Sequence, residues 1–102
     1  MDPEPSVAES KDATHDTLMW EVVAAAGNLP ALLQWIDEVA VPSLRSAPQF
    51  HSVDVYTAAD DRAVLIVRFT GTPVQVPEPP DELLNRPAHQ WPFQHRWSLP
   101  TT

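Results

Sequence analysis

The order in which its apolar segments occur constrains this chain more than any single motif does. A nearly continuous apolar run, Leu18–Ala26, is followed by a stretch with helical spacing, Leu29–Ser46. Two strand-like runs come next, Phe50–Tyr56 and Ala63–Phe69, joined by the polar turn Ala58-Ala59-Asp60-Asp61. Strand, helix, strand, strand, and then a short helix and a last strand, make a sheet with helical cover on one face and leave the other face needing a cover of its own. The expected class is α+β.

Each segment carries a physical reason for its assignment. Leu18-Met19-Trp20-Glu21-Val22-Val23-Ala24 mixes β-branched and aromatic residues, as a largely buried strand does. Gly27-Asn28 ends it; Asn28 is placed to cap a helix whose first turn accommodates Pro30. Leu29, Leu32, Leu33, Ile36, Val39, Ala40 and Leu44 fall on one helical stripe, and Pro42 is expected to kink the helix near Val39. Alternation from Phe50 sorts His51, Val53 and Val55 to one face and Phe50, Ser52, Asp54 and Tyr56 to the other, and Val64-Leu65-Ile66-Val67 returns as a buried strand. After Gly71, the prolines of Thr72–Pro80 favour extended geometry and exclude regular structure, so the segment reads as a spacer. Asp81–Asn85 reads as one helical turn opened by Pro80. In His89–Trp97, Trp91, Phe93, His95 and Trp97 alternate on one side, and Pro92 makes the strand an edge or bulged one.

Composition narrows what such a fold could do. The 102 residues suffice for one domain, expected over 17–102, while residues 1–16, rich in Pro, Ser, Asp and Glu, are expected to be a disordered acidic tail. A formal charge of −8, with six scattered basic residues, argues against nucleic acid as a partner. Without cysteine there is no disulfide, thiolate nucleophile or Cys-ligated metal. The acidic start lacks the features of a signal peptide and no apolar run approaches a membrane span, so no membrane partner and a cytoplasmic location are expected.

Few residues have the types or spacing that chemistry demands. The histidines form no metal-ligand pattern, so no metal is expected; His89 and His95 could carry protons near neutral pH or could be polar residues bonded to backbone. Trp20, Trp35, Tyr56, Trp91, Phe93 and Trp97 could wall a site for a flat ligand or fill a core or interface, with Trp20 and Trp91 the pocket candidates. Arg68, inside an apolar strand, needs a carboxylate or a ligand anion, and Glu21 in the first strand is the expected partner. The exposed sheet face would leave a large apolar patch in water, so a homodimer through that face is expected.

The strand Leu18–Ala24, the helix Leu29–Leu44 with Ala47-Pro48-Gln49-Phe50, the hairpin Ser52–Tyr56 to Ala63–Phe69, and His89 before a closing strand together resemble the dimeric α+β barrel superfamily. Within it they are similar to antibiotic biosynthesis monooxygenase-like domains, over roughly residues 17–98. The resemblance implies a ferredoxin-like βαββαβ protomer with an antiparallel sheet, two of which pack sheet against sheet. It also implies a cofactor-independent monooxygenase acting on a small aromatic, polyketide-like substrate. In that reading His89 or His95 would be the base, Arg68 or Tyr56 would hold the developing anion, and Trp20, Glu21, Trp91 and Phe93 would line the substrate site. No cofactor is implied. Val67-Arg68-Phe69-Thr70-Gly71 and the proline segment stand where the family carries a Trp and a second helix, and of the Asn, Trp and His used by haem-degrading relatives only His89 has a counterpart. The alternative is a non-catalytic homodimer that binds a small molecule or a partner protein, its cleft filled by its own Trp and Leu side chains.

Overall fold

A computed structural model describes residues 15–100. The expected tail thus lies outside the described residues, except for His15 and Asp16. Four strands, β1 (Thr17–Val23), β2 (Phe50–Ala58), β3 (Arg62–Phe69) and β4 (His89–Phe93), form one antiparallel sheet in the order β2-β3-β1-β4. A helical segment crosses from β1 to β2 over one face, skipping the β3 position. The α+β class holds, and the strand order is compatible with a small ferredoxin-like fold. The second helix of such a fold is reduced to one 3-10 turn, Asp81–Leu83, opened by Pro80.

The crossover helix resolves a conflict of spacing. Its buried side chains, Leu32, Ile36, Ala40 and Leu44, recur every four residues. In a regular α-helix that interval drifts by about 40° per step, enough to carry the last of them off the sheet. Here α1 (Leu29–Trp35) passes into a π-helical stretch, Ile36–Ala40, before α2 (Val41–Arg45). The wider turn corrects the drift and lies just ahead of Pro42, which has no N–H to give to the preceding turn. The irregularity lies where Pro42 is expected to disturb the helix, and it turns Val39, expected on the core stripe, to solvent at 45% exposure. Asn28 stands at the helix start, but its Nδ2 donates to the Glu82 carbonyl (3.1 Å) rather than capping the helix.

Register sorts the sheet cleanly. Leu18, Trp20, Val22 and Ala24 of the β1 segment and Ala63, Leu65, Val67 and Phe69 of β3 face the helix and are buried with Leu32, Ile36, Ala40 and Leu44. In β2, Val53 and Val55 share that side, and so does Phe50, which meets Phe69 edge-on at 6.5 Å. The alternation expected Phe50 on the other side. An irregularity between Phe50 and Ser52 inserts a residue and reverses its direction. The hairpin turn holds Asp60 and Asp61 at positive φ (63° and 61°), the left-handed geometry that Asp tolerates better than most residues.

The proline segment covers the core rather than standing off as a spacer. Val76 is buried, and Val74, Leu84 and Ala88 pack against the core. The segment is held by the side chain of Gln90, on the helix side of β4: the Val76 N–H donates to Gln90 Oε1 (3.0 Å) and Gln90 Nε2 donates to the Val76 carbonyl (3.2 Å). One amide side chain thus does what a neighbouring strand would do. Gln90→Ala should cost about 1–3 kcal/mol in urea unfolding, because both Val76 groups lose their partner. Gln90→Glu keeps the acceptor and loses the donor, and should fall in between.

Candidate functional site

Among the described residues, the helix-facing side of the sheet is a packed core rather than an enclosed cleft. Trp20 is fully buried and stacks on Trp35 (centroids 6.5 Å apart, planes at 29°), and Leu32, Ile36, Leu44, Leu65 and Val67 fill the space around it. An open groove of about 400 Å³ lies at the β4 edge, lined by His15, Leu18, Thr72, Pro73, Gln75, Gln90 and Pro92. None of the expected site residues lines it.

The opposite face is a grid whose rows follow from strand register. Across β2, β3, β1 and β4 the rows read Ser52, Arg68, Thr17, Phe93; then Asp54, Ile66, Met19, Trp91; then Tyr56, Val64, Glu21, His89. Alternation places these side chains outward from the core. Six of the eight expected site residues share this face: Tyr56, Arg68, Glu21, His89, Trp91 and Phe93. Trp20 stands on the other face, and His95 lies beyond the end of β4.

Within the grid, Glu21 is the hub of a charged cluster. It makes a hydrogen-bonded ion pair with Arg62 Nη1, and Arg86 Nη2 lies 3.6 Å from the same oxygen. Arg62 also reaches Asp60 at 3.4 Å. The expected Glu21–Arg68 pair does not form, because register puts Arg68 opposite Thr17, two rows from Glu21. Arg68 has no ion pair among the described residues. Nothing in the sequence marked Arg62 or Arg86 as the partners: one sits at a turn and the other before a proline, and only three-dimensional proximity joins them.

His89, opposite Glu21, stacks on Trp91 (5.7 Å, 27°), so an imidazole and an indole form a flat shelf at the sheet edge. His95 serves another purpose. Its backbone N–H donates to Asp16 Oδ1 (2.9 Å), its Nε2 lies 2.8 Å from Ser98 Oγ, and the Thr17 hydroxyl donates to the same Asp16 oxygen (3.0 Å). The His95 N–H is the main cause holding the Asp16 carboxyl below its ordinary value; the Thr17 hydroxyl and nearby positive charge add to it against partial desolvation. A carboxylate with a depressed folded pKa stabilises above its unfolded pKa, and that contribution fades as pH falls through the folded value. The segment after β4 should therefore detach from Asp16 only below about pH 4. The His95 amide signal in an NMR titration should move there, and in Asp16→Ala it should match the detached state at every pH.

Among the described residues no group of three His, Cys, Asp or Glu side chains is placed to hold a metal, and no helix is long and apolar enough to cross a membrane. The search of family models, curated proteins and solved structures found no match to this chain.

Proposed function

We propose that this chain is a non-catalytic, self-associating module whose open sheet face is covered by a second copy. The observation that carries the proposal is the composition of that face. Met19, Val64 and Ile66 form its centre, and Tyr56, Trp91 and Phe93 are 55%, 44% and 44% exposed toward its edges. Apolar side chains spread across one sheet face and left uncovered mark an interaction surface. A face that is complementary to itself gives a closed pair.

Two observations favour binding over catalysis. Of the side chains expected to act on an aromatic substrate, Tyr56, His89 and Arg68 share the open face, with Arg68 two rows from the other two, but among the described residues they border no enclosed cavity; His95 lies beyond the end of β4, and the space beneath the helix is filled by Trp20 and its aliphatic neighbours. The flat His89–Trp91 shelf suits a planar aromatic ligand, which could be held between two sheets without being transformed. Light scattering over a range of concentrations tests the reading: a dimer at micromolar protein supports it, and a monomer throughout refutes it.

A further inference from the structure

The two edges of the sheet are defended unequally. β4 has five residues, Pro92 among them, and its Gln90 side chain is taken up by Val76. β2 has nine, with neither proline nor lysine, and among the described residues β3 is its only neighbouring strand. Asp54, Val55, Tyr56, Thr57 and Ala58 are all exposed, and Val55 is 43% exposed although it points to the helix side. A long edge without proline, lysine or cover is a template for another strand.

We propose that the β2 edge pairs antiparallel with the β2 edge of a second copy, centred on Val55, and so joins two four-stranded sheets edge to edge. Such pairing turns one copy about an axis perpendicular to the sheet. Both helical layers then stay on one side, residues meet only residues of their own face, and the axis passes beside a single residue. The ladder with β3 runs unbroken from Ser52 to Ala58, after the irregularity that follows Phe50, and its midpoint is Val55. Centred there, all seven residues are paired: Ser52 with the partner's Ala58, Val53 with the partner's Thr57, Asp54 with the partner's Tyr56, and Val55 with its counterpart. No carboxylate meets another. At each end the exposed His51 comes beside the partner's Asp60-Asp61 turn, where Asp61 has no ion pair among the described residues. Any other axis pairs five of these residues at most, and the one at Asp54 also sets carboxylate against carboxylate. The edge contact goes beyond the face pairing proposed above and leaves the open face free for it. A ladder of this length is a small contact by the standard of stable complexes, so it joins copies at high concentration, while the face pair persists below it.

The chain has no cysteine, so a single introduced thiol reports the register. Directly opposed residues of an antiparallel pair bring their Cβ atoms within reach of a disulfide, whereas the two Val53 positions would stand about 14 Å apart. Under mild air oxidation at millimolar protein, Val55→Cys is expected to run as a covalent dimer on a non-reducing denaturing gel, and Val53→Cys as a monomer. Equal cross-linking of the two, or none of Val55→Cys, overturns the pairing. Light scattering separates edge from face. The parent is expected to be a dimer at micromolar concentration and heavier than a dimer at millimolar, and Val55→Lys, which sets two ammonium groups together at the edge, to stay a dimer at both. A parent that remains a dimer throughout overturns the edge contact and leaves the face pairing standing. A monomer at micromolar that dimerises at millimolar only with Val55 in place supports the edge and overturns the face, and a monomer throughout overturns both.

Discussion

Ile66→Lys is expected to yield a folded monomer. Ile66 lies in the middle of the open face, between Asp54 and Met19 in its row, with Val64 and Arg68 two residues away along β3. A lysine there keeps its ammonium in water in the isolated chain, because the side chain points away from the core, so thermal stability should stay within about 1 kcal/mol of the parent. In the pair the same charge would be buried against an apolar surface, once from each copy, without a partner. Stranding an unpaired charge at an interface costs several kcal/mol, so the dimer dissociation constant should rise at least about a hundredfold. Val39→Lys is the control: Val39, 45% exposed and so more open than Ile66, belongs to the helical layer, and its change should leave association untouched. If Ile66→Lys dimerises like the parent, the open face is not the interface.

The parts of this architecture legible in the sequence are those fixed by local chemistry. The helix start at Asn28-Leu29-Pro30, the polar turn before β3 and the edge position implied by Pro92 each follow from one or two residues whose backbone preferences leave little choice. What escaped depends on phase or on distance. The π-helical stretch shifts Val39 out of the core stripe, and the irregularity after Phe50 moves that ring to the helix side; in both cases one residue of slip changes which face a side chain joins. The proline segment looked like a spacer because its anchor is a side chain, Gln90, fourteen residues from the backbone it holds. Arg68 is read from the sequence as needing a carboxylate, with Glu21 the expected partner, but strand register brings Arg62 rather than Arg68 to Glu21, and register lies in pairing rather than in composition.

Trp20 carries the largest single contribution to stability expected in this chain, and its two truncations should behave in opposite ways. The side chain is fully buried between the helix and β3, against Trp35 and Leu65, yet its Nε1–H has no hydrogen-bond partner among the described residues. Trp20→Ala removes the ring and leaves a cavity that the rigid layers on either side cannot close, at a cost of about 3–5 kcal/mol. A single domain of this size has about 5–15 kcal/mol in total, so the variant should unfold at much lower urea. Trp20→Phe keeps a six-membered ring against Trp35 and discards the unpaired donor. A buried donor without a partner costs about 1–3 kcal/mol, which offsets much of the lost ring volume, so the urea midpoint should move by no more than about 1 kcal/mol. Equal losses in the two variants would mean that the indole N–H is bonded in solution, and that the space beside it admits a water or a ligand; a wide gap between them would make Trp20 a packing residue, leaving the open face to do the binding.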